Sequence, residues 1–113
     1  MEGERSFVKI VPKLSRPVLK IKQRRIRLPL KFLEHFTEDY VEILFDPKRN
    51  LIAFRPTNDP FNFKLCSDNS KVKNVIFCGA FLRYYSIPPQ EVEVEWDSER
   101  GMLIGKVKRC TKQ

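Results

Sequence analysis

Between Glu4 and Glu34 the chain carries ten cations and no carboxylate: Arg5, Lys9, Lys13, Arg16, Lys20, Lys22, Arg24, Arg25, Arg27 and Lys31. From residue 32 onward, twelve Lys/Arg face twelve Asp/Glu, so the formal net charge of +8 comes from one segment. Unopposed charge of this density neutralises phosphates and releases their counterions. Arginine adds a bidentate grip on phosphate or on a guanine edge. The competing reading is a solvated face that keeps the chain soluble, but segregation this sharp exceeds what solubility requires.

Other chemistries find little material. His35 is the single histidine and has no partner nucleophile in its sequence context. Cys66, Cys78 and Cys110 are odd in number and form no CxxC pair, which argues against a zinc site and for free thiols in a reducing compartment. Glu91, Glu93 and Glu95 share one strand face, where a solvated stripe is the ordinary outcome and metal chelation the exceptional one. Gly3, Gly79, Gly101 and Gly105 are scattered, so no phosphate-cradling loop is formed. The expectation is therefore a protein that is not an enzyme and uses no metal or cofactor. No N-terminal apolar core of signal-peptide length and no apolar run near 18 residues are present, so no membrane partner is expected. The expected location is cytoplasmic, and nucleoid-associated if the partner is DNA.

The elements that would carry the cations follow from alternation. Val18–Lys22 reads as a strand with its basic residues on one face, and Arg25-Ile26-Arg27-Leu28 alternates strictly. Gln23-Arg24 would connect them. Pro29 stops the second strand and opens a short helix, Leu30 to Phe36, with Leu30, Leu33 and Phe36 at a spacing of three. Tyr40–Phe45 and Leu51–Phe54 form a hairpin around Asp46–Asn50, with Val41, Ile43 and Phe45 on one face. Residues Pro56 to Pro60 break the chain. The same order then returns: a strand at Phe63–Cys66, a loop at Ser67–Asn74, a strand at Val75–Cys78 and a short helix at Ala80–Tyr85. A hairpin of Glu91–Trp96 with Met102–Ile104 follows.

The two passages align residue on residue. Phe32-Leu33 corresponds to Phe81-Leu82 at an offset of 49. Phe45-Asp46 corresponds to Trp96-Asp97, and Arg49 to Arg100, at an offset of 51. This pattern predicts an internal duplication of a strand-strand-helix-hairpin unit. Two copies suit a pseudo-two-fold domain in which each copy covers the other.

The basic strand Val18–Lys22, the run Arg24-Arg25-Ile26-Arg27-Leu28-Pro29, the helix with Phe32-Leu33, and the hairpin from Tyr40-Val41-Glu42-Ile43 to Arg55-Pro56 resemble a swapped-hairpin unit of the AbrB/MazE/SpoVT type. Family members usually carry one unit per chain, and two chains interleave into one barrel. The resemblance implies a mainly β fold with small α content: a pseudo-two-fold, swapped-hairpin-like β-barrel built within one chain. A basic N-terminal arm (1–17) would precede a single barrel domain (18–113), composed of repeat one (18–56), a linker (57–62), repeat two (63–107) and a basic tail (108–113). The chain departs from the family in having Lys22-Gln23-Arg24 where a glycine usually follows a lysine, and Gly79 where the first copy has Pro29.

The resemblance implies DNA contact through the first hairpin. The expected nucleic-acid-binding residues are Lys13, Arg16, Lys20, Lys22, Arg24, Arg25, Arg27 and Lys31, with Lys20, Lys22 and Arg24 as phosphate anchors and Arg25 and Arg27 setting base preference. Tyr84 and Tyr85 cannot both face inward from one short helix, so one of them is a candidate for stacking on bases. Nucleic acid is thus the expected partner, with DNA favoured and RNA possible, and a homodimer is a possible binding unit. Two alternatives use the same residues: an RNA- or single-strand-binding accessory protein, and a protein–protein adaptor of the antitoxin type. Lys106, Lys108, Arg109 and Lys112 read as a frayed basic tail.

Overall fold

A computed structural model describes residues 17–68 and 71–110. Of the described residues, 47% lie in strands and 13% in helices, which places the chain in the mainly β class. The elements run β1 (Val18–Ile21), β2 (Arg25–Arg27), a 3-10 helix (Leu30–His35), β3 (Tyr40–Asp46), β4 (Leu51–Thr57), β5 (Phe63–Lys64), β6 (Cys66–Ser67), β7 (Lys73–Phe77), α1 (Gly79–Tyr84), β8 (Gln90–Asp97) and β9 (Met102–Lys106). The strands form one antiparallel sheet in the order β5-β3-β4-β9-β8-β1-β2-β7-β6. β5 and β6 are separated by Leu65 alone, so one short segment pairs with β3 at one end of the sheet and with β7 at the other. The sheet thereby curls into a nearly closed barrel.

Alternation builds the core. Leu19, Ile21, Ile26, Leu28, Val41, Ile52, Phe54, Ile76, Val92, Val94 and Leu103 point inward and are buried. Each such side chain contributes roughly 1.5–3 kcal/mol on leaving water, and shifting any strand by one residue would turn its apolar set outward.

The pairing pattern is the same read from either half. The β3–β4 hairpin pairs Ile43 with Phe54 and Asp46 with Leu51, and the β8–β9 hairpin pairs Val94 with Gly105 and Asp97 with Met102. Each hairpin turn is held by an aspartate whose Oδ1 accepts two backbone N–H groups: Asp46 from Lys48 and Arg49, and Asp97 from Glu99 and Arg100. Each turn ends in a left-handed residue, Asn50 (φ 58°) and Gly101 (φ 66°), the conformation that Gly and Asn adopt most readily. Across the β2–β7 seam, Leu28 N–H donates to Asn74 O at 2.8 Å, and Cys78 N–H donates to Arg24 O at 3.0 Å. The short helices cross over. Phe36, capping the 3-10 helix, lies edge-on to Trp96 of β8 at 5.9 Å, and Tyr85, capping α1, packs on Phe45 of β3 at 4.6 Å.

Several boundaries differ from the sequence expectation. β4 continues through Pro56 to Thr57 instead of ending at Phe54, because β3 pairs with it as far as Thr57, while β9 pairs with it only as far as Phe54. The missing N–H of Pro56 breaks no bond on that side. The strand expected at Phe63–Cys66 changes partners at Leu65, whose N–H donates to Asp39 O at 2.9 Å. β7 begins at Lys73, inside the expected loop. Leu30 stays 67% exposed, so the 3-10 helix packs through Phe32, Leu33 and Phe36 instead of through a row that includes Leu30. The tail does not fray before Cys110. Arg109 Nε donates to Tyr85 O at 2.8 Å and its Nη1 to Pro47 O at 3.1 Å, while Cys110 N–H donates to Ser86 O. Lys112 lies outside the described residues.

Gly105 sits on the inward side of β9, where a Cβ would stand 2.8 Å from Val94 Cγ1, 2.9 Å from Val92 Cγ1 and 3.1 Å from Glu93 O. Gly105→Ala is expected to cost about 1–3 kcal/mol through overpacking, read as a lower urea midpoint with an unchanged slope.

Candidate nucleic-acid interface

β1 and β2 form an antiparallel ribbon in which Lys20 lies opposite Arg27 and Ile21 opposite Ile26. Burying Leu19, Ile21, Ile26 and Leu28 forces the intervening Lys20, Arg25 and Arg27 onto the outer face. Lys20, Lys22 and Arg24 are exposed, and Arg25 and Arg27 are half-buried. The connection between the strands is tied at both ends. Lys22 N–H donates to Arg25 O at 2.8 Å, and Arg24 O accepts from Cys78. The loop lies close to the start of α1: a Cβ on Gly79 would lie 3.4 Å from Arg24 Cα, Cβ and Cγ. Five of the expected binding residues are thus brought together on one ribbon. Lys31 lies beyond it on the 3-10 helix, with Nζ 5.6 Å from the Phe32 ring centroid. Lys13 and Arg16 lie outside the described residues.

The two arginines of β2 are not idle. Asp68, just after β6, accepts from Arg27 Nη2 at 2.7 Å and lies 3.6 Å from Arg25 Nη1. Arg27 Nη1 also reaches Asn74 Oδ1 at 3.5 Å, and Asn74 itself is buried, donating through Nδ2 to Leu28 O. The carboxylate offsets part of the charge of both guanidiniums. Any anion that approaches them competes with this carboxylate. A sequence separation of 41 residues between Arg27 and Asp68 hides this contact from any local reading.

An aromatic residue completes the face. Phe77 of β7 is the direct cross-strand partner of Arg25 and remains 53% exposed. The sequence reading placed stacking potential on the α1 tyrosines instead. Of these, Tyr84 is exposed and Tyr85 is packed between Phe45 and Phe81. Phe61, just before β5, is 97% exposed. The run Val75-Ile76-Phe77-Cys78 shows no alternation of polarity, so only the register with β2 reveals that Phe77 points outward.

The acidic stripe borders this face directly. Glu91 is the Cα partner of Lys20, and Glu93 that of Val18. The stripe therefore limits the basic row along one edge and is not confined to the far side of the barrel. Elsewhere, His35 stacks on Trp96 at 3.9 Å with the rings 3° from parallel, a packing role. Among the described residues no group of three or more His, Cys, Asp or Glu is placed to hold a metal ion, and no helix is long and apolar enough to cross a membrane. Comparison with protein-family models, with curated proteins and with solved structures finds no match.

Two measurements probe this site. Asp68→Asn frees Arg25 and Arg27 for an external anion. The variant is expected to elute from immobilised heparin at higher salt than wild type, with a log K versus log salt slope steeper by about 1–2, since each neutralised phosphate adds about 0.9. Cys78, whose N–H anchors the ribbon loop, has its thiol pushed up to about 12 from 9.0 by burial. The native thiol stays protonated while that of the unfolded chain ionises above pH 9, so its contribution to stability is whole below pH 9 and falls away as pH climbs toward 12. Urea unfolding of wild type and Cys78→Ala on either side of pH 9 is expected to show the gap between them narrowing as pH rises.

Proposed function

We propose that this chain binds nucleic acid through the outer face of the β1–β2 ribbon, with duplex DNA as the favoured partner, and acts as a transcription regulator or chromatin-associated factor. The observation that carries the reading is the display of Lys20, Lys22, Arg24, Arg25 and Arg27 on one two-stranded ribbon, with the first three exposed. A ribbon of this width enters a major groove. Lys20, Lys22 and Arg24 serve as phosphate anchors, and Arg25 and Arg27, paired with Asp68, make the directional contacts. The resemblance of Val18 to Pro56 to an AbrB-type unit supports the same face. The second half, with its matching strand register, is then a diverged copy that has exchanged the arginine pair for Val75 and Phe77.

Phe77 favours a second reading. An exposed ring directly across from Arg25 is what stacking on an unpaired base requires, and this supports single-stranded DNA or RNA as the partner.

Fluorescence anisotropy with duplex DNA, single-stranded DNA and RNA of equal length, each across a salt series, separates the two. For the duplex reading, the duplex binds tightest and the variant Arg24→Ala/Arg25→Ala/Arg27→Ala lowers the salt slope by about 1–2, since Asp68 already withholds part of the charge of Arg25 and Arg27. Phe77→Ala then leaves duplex affinity within about twofold. Tighter binding of single strands, with a loss of about tenfold or more in Phe77→Ala at 1–3 kcal/mol per stacked base, transfers the function to the second reading. No binding at low salt ends both.

A further inference from the structure

We propose that the cleft between the ribbon loop and the C-terminal end of α1 is a phosphate subsite, in which Arg83, Gln23 and Ser86 grip one phosphodiester of a nucleic acid whose neighbouring phosphates lie on Lys22 and Arg24. The inference rests on the proposed function and adds a second point of contact for the same ligand. The cleft has a volume of about 240 Å³. Sites for whole small molecules run from roughly 300 to 1,000 Å³, so this one suits a single group of a longer ligand. Buried Leu82 and Ile87 supply its apolar lining, and no lining residue is a carboxylate.

Three observations select the occupant. First, the arginines sort themselves. Arg25 and Arg27 share Asp68, Arg49 lies beside Asp46, Arg55 beside Glu42 and Arg100 beside Asp97. Arg109 is engaged by backbone carbonyls. Among the described residues, Arg24 and Arg83 are the arginines whose guanidiniums have no such partner, and both are exposed at this end of the barrel. Second, the walls of the cleft are tied to each other. Arg24 O accepts the Cys78 N–H at 3.0 Å, which holds the loop that carries Gln23 against the helix that carries Arg83. Ser86 N–H donates to Arg83 O at 3.1 Å, and Ser86 O accepts from Cys110 N–H at 2.8 Å. Third, Ser86 stands in the left-handed region at φ 56°, which glycine adopts at lower cost. Its backbone groups are bonded while its hydroxyl has no hydrogen-bond partner among the described residues. A serine kept at a position that favours glycine points to use of the side chain.

The cleft thus offers a guanidinium, an amide and a hydroxyl to one anion, with arginine supplying the bidentate contact. Lys108 adds a fourth cation to this end of the barrel: its backbone is clasped by the Gln90 side chain, which also donates to Pro88 O, and the residue is exposed. The ribbon's flanks carry Glu91 and Asp68, whereas the cleft beyond its loop has no carboxylate in its lining. A polyanion lying on the ribbon therefore continues over the loop tip onto Arg83, so that the second half contributes to binding through α1 although its β7 lacks the arginine pair.

The test is fluorescence anisotropy of the full chain with duplex and single-stranded DNA of equal length, across a salt series. With the DNA that wild type binds more tightly, Arg83→Ala is expected to weaken binding about 3–10-fold and to lower the salt slope by about 1. Arg100→Ala removes the same charge at the far end of β8 and is expected to stay within about twofold of wild type. Ser86→Gly is expected to weaken binding about 2–5-fold with a urea midpoint no lower than that of wild type. Arg83→Ala binding as Arg100→Ala does, while Arg24→Ala/Arg25→Ala/Arg27→Ala loses affinity, overturns the cleft and leaves the ribbon reading standing. Unchanged affinity in Ser86→Gly overturns the three-donor site. No binding by wild type at low salt overturns the cleft and the ribbon together.

Discussion

Ile26 and Ile76 face each other across the β2–β7 ladder, both fully buried, and the barrel depends on the seam they form. A matching seam joins β4 to β9, where Ile52 meets Gly105 and Phe54 meets Leu103. Neither half closes a core alone. The first half supplies β1, but β1 finds its second neighbour in β8, and β3 finds its own in β5. The crossed aromatic contacts, Phe36 on Trp96 and Tyr85 on Phe45, bind each half's helix to the other half's hairpin. This interleaving makes burial cooperative across the whole sequence. A half that unfolds strips the apolar face from the other, which favours all-or-none unfolding. Arg109 reinforces the arrangement from the C-terminal end, with its guanidinium 5.5 Å from the Phe45 centroid and hydrogen bonds to Tyr85 and Pro47.

The basic face is a by-product of that core. Once Leu19, Ile21, Ile26 and Leu28 are committed inward, strand geometry leaves Lys20, Arg25 and Arg27 no other side. The same rule in the second half turns Val75 and Phe77 outward, and here the halves part company. Val75 is fully buried yet absent from the inner core, and its strand neighbours are Arg27 of β2 and Cys66 of β6. Two halves with one pairing pattern therefore present different chemistry, cationic on one side of the seam and apolar on the other. A surface made this way is polarised and has no two-fold equivalence.

Much of this was legible in the sequence because it is local. Strict alternation in Arg25–Leu28 and Glu91–Trp96 announces both strands and their faces, and the Asp–Arg spacing of each hairpin turn repeats at an offset of 51. What stayed hidden depends on partners distant in the chain. Leu65 switches strands because its neighbours on either side belong to β3 and β7, which no property of Phe63–Cys66 encodes. Pro56 looks like a terminator until the reach of β9 is known. Asp68 reads as part of a polar loop, and its role is visible only with Arg25 and Arg27 beside it. Arg109 reads as tail charge, and its docking depends on carbonyls 24 and 62 residues away.

The width of the cationic strip constrains what it can bind. Lys20 is paired with Glu91 on one side and Arg27 on the other, so the sign of the surface reverses within one strand spacing, about 4.8 Å. On the far edge, Asp68 and Phe77 end the row of free charge. The usable strip is thus about two strands wide, roughly 10 Å, against a major groove about 12 Å across. A strip of that size follows one backbone or fills one groove, and it cannot bridge two phosphate rows while carboxylates lie along its border. Under the proposed function, like charges at that border would steer a polyanion along the ribbon axis, since any rotation toward β8 would bring phosphates onto Glu91 and Glu93. On that reading orientation would be set by the acidic strand as much as by the basic one, and the ribbon's small cation count would make affinity sensitive to each charge that Asp68 and the acidic border leave unopposed.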